Sequence, residues 1–240
     1  MNYFVSLHAK FKENHIKMSK KKQKTQVNEF DETLAASRSF YEKNKNAILY
    51  GGGGLLFIII AVLLIHQFYI TPRNNRANES IFYAEQAFMS GNYDKALNGD
   101  GANMGFLNVI DEFGNTKAGN IACLYAAKCY AATEKYQEAI DMLDKFDGCG
   151  DAMISPAAIA LKGNCYAELG ENEKAVELLV KAAKEADNNI ISPTCLMQAG
   201  QIYVSLGQND KALDCYNQIK SKYQQSNAYY EIDKYIEAAQ

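Results

Sequence analysis

Leu161–Ala175 reads LKGNCYAELGENEKA, and Ala199–Ala212 reads AGQIYVSLGQNDKA. The two belong to one repeating unit. Ile154-Ser155-Pro156 recurs as Ile191-Ser192-Pro193, 37 residues on, and Gly163, Tyr166, Leu169-Gly170 and Lys174-Ala175 recur as Gly200, Tyr203, Leu206-Gly207 and Lys211-Ala212. Working outward toward the N-terminus, Tyr125–Ala139 (YAAKCYAATEKYQEA) places Ala127, Tyr130, Tyr136 and Ala139 at equivalent positions. One unit earlier stand Ala84, Gly91, Tyr93 and Lys95-Ala96, so about four units are visible. Self-similarity at a period of 20–50 residues is the signature of a stacked repeat architecture.

The spacing has a physical meaning. Each unit is expected to be two antiparallel helices joined by a short turn. Small residues (Gly163 with Ala175, Gly200 with Ala212) let the paired helices touch, and Tyr166, Leu179, Tyr203 and Tyr216 fill the space around them. Gly170 and Gly207 supply the left-handed residue that ends a helix. Ser155-Pro156 and Ser192-Pro193 read as N-cap and N1 pairs. A lone helical hairpin cannot bury its apolar face, so the units must stack.

At these Gly/Ala, Tyr, Gly, Tyr and Ala positions the chain resembles the tetratricopeptide repeat family, over roughly residues 77–222. That resemblance implies an all-α superhelix. The last units are longer than the family's usual period. The first is interrupted by Asn98-Gly99-Asp100-Gly101, which should break its second helix before Met104–Phe113 resumes it. Residues 223–240 read as a capping helix with Tyr229, Ile232, Tyr235 and Ile236 near one face.

The other decisive stretch is Ala47–Ile70, AILYGGGGLLFIIIAVLLIHQFYI. No charged residue lies between Lys45 and Arg73, and Leu55–Ile65 is apolar throughout. At about 1.5 Å per residue such a helix is roughly 36 Å long, enough to cross a hydrocarbon core of about 30 Å. A buried core helix of this length would be expected to keep a polar face. The expected architecture is therefore a basic cytoplasmic tail (1–46), a single transmembrane anchor (47–70) and a repeat ectodomain (77–240). Neither a small-x-small cleavage site nor a cysteine follows the apolar run, so the anchor is expected to stay attached.

Charge sets the orientation. Residues 1–70 carry 10 basic and 5 acidic groups, and residues 71–240 carry 15 basic and 23 acidic. The Lys/Arg excess before the span places the N-terminus in the cytoplasm and the C-terminal region across the membrane. An acidic C-terminal region does not suit nucleic acid. Residues 1–27 are lysine-rich and aperiodic and are expected to be disordered, with Lys20–Lys24 serving as a topology signal. Asn28–Asn46 is expected to form a short helix with Phe30 and Leu34 on one side. Met18 offers a second translational start.

The chain offers little chemistry. All three histidines, His8, His15 and His66, precede the repeats, which removes Ser-His, Cys-His and His-metal constellations from the ectodomain. Asn98–Asn103 looks like a calcium loop, but Val109 stands where the terminal Glu is needed, so a turn is expected. The six cysteines (Cys123, Cys129, Cys149, Cys165, Cys195 and Cys215) are an even count on the oxidising side, which invites disulfides with fifteen possible pairings. With five of them inside repeat helices, free buried thiols are the favoured expectation, with Cys149 in the turn Asp147–Asp151 the exposed exception. No catalytic residue, metal or cofactor is expected, and the chain is not expected to be an enzyme.

Function should then lie on the face lined by the first helices. The family pattern implies Ile81, Glu85, Phe88, Leu124, Lys128, Asn164, Met197 and Gln201 as groove positions, of which Glu85, Phe88, Lys128, Asn164, Met197 and Gln201 are the candidate protein-binding residues. With only Lys128 and Asn164 suited to a terminal carboxylate, an apolar groove for extended or helical segments is the better expectation. Architecture, together with a lysine- and aromatic-containing stretch before the span, also resembles the bitopic ancillary subunit of the bacterial Sec translocon. This second resemblance implies an inner-membrane protein with a periplasmic domain. Its partners would be translocon subunits, exported polypeptides or periplasmic chaperones. The competing expectation is a scaffold or self-associating factor in another envelope complex.

Overall fold

The computed structural model describes residues 2–240, with side chains from Thr33 onward; the Lys20–Lys24 cluster and Phe30 lie outside the described side chains. The chain divides into two compact units, Met1–Phe68 and Tyr69–Gln240.

The first unit is one helix, α1 (Asn2–Ile65). Disorder was the expectation for residues 1–27, and the structure instead carries the helix from Asn2 onward. The reason lies in what the segment lacks: no Gly or Pro occurs before Gly51, and Lys, Gln, Ala and Glu are good helix formers. The separate short helix expected over Asn28–Asn46 is part of the same element. Leu55–Ile65 is exposed almost throughout. Within Thr33–Met89, one helix is long and apolar enough to cross a membrane, by length and composition. At His66–Ile70 the backbone widens into a π-helical turn. Pro72 explains it: the ring has no N–H to offer the carbonyl four residues back, so the bonding pattern must change there.

The second unit is built of paired helices. α2 (Thr71–Met89) pairs with α3 (Tyr93–Asn98) and, after a loop, α4 (Phe106–Phe113); α5 (Lys117–Ala132) pairs with α6 (Tyr136–Lys145). α7 (Ile154–Glu168) pairs with α8 (Asn172–Ala186), and α9 (Ile191–Ser205) with α10 (Asn209–Lys222). A 3₁₀ turn (Asn227–Tyr230) and α11 (Ile232–Ala238) close the chain. The interruption expected in the first unit is present between α3 and α4.

One turn geometry joins the two helices of every repeat. Gly91, Glu134, Gly170 and Gly207 have φ of 75°, 60°, 78° and 69°. The next residue donates its N–H five positions back: Asn92 to Ala87 O (3.0 Å), Lys135 to Tyr130 O (2.9 Å), Glu171 to Tyr166 O (2.8 Å) and Gln208 to Tyr203 O (2.8 Å). That pairing satisfies a helix-terminal carbonyl that would otherwise be orphaned. Five residues after the turn come Ala96, Ala139, Ala175 and Ala212, each fully buried. In the third repeat a Cβ on Gly163 of the first helix would meet Ala175 O at 3.2 Å.

The serines do not cap as expected. Ser155 and Ser192 lie inside the first turns of α7 and α9. The cap acceptors stand four residues earlier: Asp151 accepts from the Met153 (2.7 Å) and Ile154 N–H groups, and Asn188 from Ile190 (2.9 Å) and Ile191 (2.8 Å). Ser192 Oγ instead donates to Ala183 O at 2.7 Å and accepts from the Asn188 N–H at 3.0 Å, tying α9 to the end of α8.

The loops between repeats are stitched together along one edge. Arg73 donates to Glu112 O and Asn115 Oδ1, Asn120 bridges Asp147 N–H and Gly148 O, and Asn188 Nδ2 reaches Ala152 O. The C-terminal core holds Leu179, Leu196, Tyr216 and Ile219, capped by Ile232 and Ala239. Burying a side chain of this size contributes about 1.5–3 kcal/mol. Where residues 223–240 were expected to form one helix, Tyr229 lies in the 3₁₀ turn and the helix runs only from Ile232 to Ala238.

All six cysteines are free and only Cys149 is exposed. Burial pushes the Cys129 thiol up to about 12 and those of Cys165, Cys195 and Cys215 up to about 11.

Candidate protein-binding groove

The common turn gives the repeats a common register. Six residues before each turn residue stand Glu85, Lys128, Asn164 and Gln201, one polar side chain per repeat on α2, α5, α7 and α9. These four helices are successive neighbours in the stack. Glu85 and Asn164 are half-buried, and Lys128 and Gln201 are exposed. The ordered residues are thus acid, base, amide, amide.

Ten residues before the turn lie Ile81, Leu124, Ala160 and Met197. Expected in the groove, Ile81 and Leu124 are instead core residues, 8% and 5% exposed. Ile81 shares one buried cluster with Phe106 of α4 and Ala122 of α5, and Leu124 shares one with Ile140 of α6 and Ala158 of α7. Met197 is half-buried against the C-terminal core.

The α2–α5 junction is the most structured part of this face. Tyr125, which the sequence reading did not single out, is its hub. Its ring lies parallel to Phe106 at 5.2 Å and edge-on to Phe88 at 5.3 Å, and Lys128 Nζ sits 5.3 Å from its centroid. Tyr93 closes on Phe88 at 5.8 Å. The Tyr125 hydroxyl donates to the Glu85 carboxylate, which burial pushes upward in pKa while that hydrogen bond opposes the rise. Burial first, and the facing carboxylate second, push the Tyr125 phenol upward. Glu85, Phe88 and Lys128 are therefore brought together around one ring. The sequence signal was the density of aromatics at Phe88, Tyr93, Phe106 and Tyr125.

The chemistry available is that of a binding surface: an aromatic wall, a half-buried carboxylate and an exposed ammonium. Among the described residues no group of three or more His, Cys, Asp or Glu side chains is placed to hold a metal ion. In the loop between α3 and α4, the Asp100 carboxylate is taken up by the Ala102 and Asn103 N–H groups (3.1 and 2.8 Å) and by Lys95 (2.8 Å).

Residues 194–226 match the tetratricopeptide repeat family model. A crystal structure of MamA protein superposes with a TM-score of 0.50 at 21% identity, covering 68% of this chain and 85% of that one. A Podosopora anserina kinesin light chain with nearly identical TPR-like repeats gives 0.53 at 15% identity, covering 68% and 85%. The fold is a tetratricopeptide-type superhelix. No curated protein matches the chain in sequence. Three further tetratricopeptide-type hairpins share the turn and buried alanine of the matched segment: α2 with α3, α5 with α6, and α7 with α8.

Proposed function

We propose that this chain is a membrane-anchored, non-catalytic protein-interaction module, with its N-terminus in the cytoplasm and its repeats across the bacterial inner membrane. The observation that carries the binding reading is the α2–α5 junction, where Glu85 and Lys128 flank an aromatic wall of Phe88 and Tyr125. Such a surface suits a peptide segment whose apolar side chains bury against rings while a few polar contacts fix its register. A helix apolar on all sides and exposed along Leu55–Ile65 supports the anchor, because that surface is unfavourable in water and neutral in lipid. The Lys/Arg asymmetry supports the orientation. Assistance to protein export or to a periplasmic chaperone network is the role this arrangement suits best. Scaffolding of another envelope complex is the alternative.

Photo-crosslinking in intact membranes tests the reading, with the crosslinker at Lys128, Asn164 and Gln201. Capture of translocon subunits and newly exported chains is expected. A single envelope protein captured without secretory clients would favour the scaffold instead. Silence at all three positions would overturn the groove.

A further inference from the structure

In a stacked repeat fold each first helix rests on the second helix of the repeat before it, and the two ends of the stack differ here. At the C-terminal end, α11 covers α10: Ile232 is buried, and Tyr235 and Ile236 pack on the core holding Tyr216 and Ile219. At the N-terminal end, α2 has no preceding repeat. Comparison in register shows which of its residues a preceding helix would cover. The positions of Glu79 and Tyr83 are held in the second repeat by Ala122 and Ala126 and in the fourth by Cys195 and Ala199, all at most 2% exposed, and in the third by buried Ala158 and half-buried Lys162, which pairs with Asp144 of the preceding repeat. The cover is α4 in the second repeat and α8 in the fourth. In the first repeat the same face carries Tyr83, 50% exposed, edge-on to Phe82, 53% exposed, at 5.8 Å. Beside Tyr83 opens a recess of about 300 Å³, lined by Gln86, Ser90, Asn92 and Lys95 among others.

We infer that this open end is a homodimer interface, in which α2 of one copy packs against α2 of a second. Three observations select a second copy as the occupant. First, because α11 covers the opposite end, head-to-tail stacking is blocked and self-association through the open end closes as an isologous pair. Second, the face is self-complementary in charge. Arg76 and Glu79, both exposed, lie one turn apart beside Tyr83, so a two-fold pairing sets the arginine of each copy near the glutamate of the other. Third, α2 follows directly on the proposed span. Anchored copies therefore carry this face on the same side of the membrane. The glycines Gly51–Gly54 have open space around them for a neighbouring helix. This third argument rests on the anchored reading; the first two do not.

The test uses the full chain in its native membranes. Cys149→Ser removes the one exposed thiol, and Tyr83→Cys places a new one at the interface. Mild oxidation is expected to give a covalent dimer at twice 26.7 kDa. Lys234→Cys, at the capped end, should give none. Arg76→Glu should lower the Tyr83→Cys dimer at least tenfold, and the added exchange Glu79→Arg should restore it. Absence of the dimer, equal dimer from Lys234→Cys, a cross-link to a different protein in its place, or no rescue by the charge exchange would each overturn the inference. Carbonate extraction of the same membranes reads the anchor separately. Release by carbonate would remove the anchored reading, and the same cross-links on the purified full chain would then decide the dimer alone.

Discussion

The ring of Tyr216 occupies the space that a side chain on Gly200 would need. A Cβ at position 200 would overlap Tyr216 Cε1 and come within 2.7 Å of Cζ, and the ring is only 1% exposed, with no room to withdraw. In the preceding repeat the same pair is Gly163 and Leu179, where a Cβ would meet Leu179 Cγ at 3.1 Å. Gly200→Ala is therefore expected to destabilise by about 2–3 kcal/mol, overpacking outweighing a helix-propensity gain of about 1 kcal/mol. Gly163→Ala should cost clearly less. Tyr216→Leu copies the arrangement of the third repeat, so it should suppress the Gly200→Ala penalty in a double-mutant cycle by urea denaturation. Additive effects would show that the ring is not what excludes the side chain.

Glu134 holds, at φ 60°, the turn position that glycine holds in the other three repeats. A residue with a Cβ pays about 1 kcal/mol in that region. Glu134→Gly should therefore stabilise by about 0.5–1 kcal/mol, and Gly170→Ala or Gly207→Ala should destabilise by about 1 kcal/mol. Chemical denaturation checks all three, and a loss of stability in Glu134→Gly would contradict the argument.

Cys149 should be the single site of alkylation in the folded protein near pH 8, since the other five thiols are buried and raised in pKa where a shift is seen. Burial first, then the negative charge of Asp151, raises the Cys149 thiol. Asp151→Asn should speed its labelling a few-fold at fixed pH by freeing more thiolate. Peptide mapping by mass spectrometry, with and without denaturant, reads both.

Acid stability should depend on Asp151. Hydrogen bonds from Ile154 and Met153 hold its carboxyl below the usual 3.8. Its contribution is present above that value and lost as pH falls toward the folded pKa. Asp151→Asn, the residue type already used at the matching Asn188, keeps the cap and should flatten this acid limb while lowering stability at pH 7 by the charge-dependent part alone. Glu85 runs the other way. Burial raises it, so its contribution is full below about 4.5 and declines as pH rises through the folded value. Glu85→Gln should remove that alkaline-side decline. Stability measured from pH 3 to 7 separates the two.

The repeats were legible because identical geometry demands identical residues. A positive φ selects glycine at 91, 170 and 207, and a helix crossing selects alanine at 96, 139, 175 and 212. Where several side chains serve, the pattern lost its meaning. Ser155 and Ser192 look like caps because serine suits a cap, yet the same hydroxyl bonds equally well from inside the first turn. Ile81 and Leu124 were assigned to the groove by position alone, and only packing shows that their face meets the next repeat. Tyr125 escaped notice because its role comes from Phe106, on a helix displaced by the interruption after Asn98. Glu85, Lys128, Asn164 and Gln201 share one register, but register says nothing of which candidates converge. Glu85, Phe88 and Lys128 meet at one ring, while Gln201 stands in the open.

The edge stitched by Arg73, Asn120 and Asn188 acts like the spine of a book. There, Arg73 and Asn120 fasten the first helices of their repeats to the loops that lead on to the next repeat, and Asn188 joins two such loops. The opposite edge is closed by the turns at Gly91, Glu134, Gly170 and Gly207, whose hydrogen bonds stay within one repeat. Repeats bound along one margin open more readily at the other, as pages do. Curvature of the stack can then adjust to what lies between the first helices while the order of the repeats along the spine is kept.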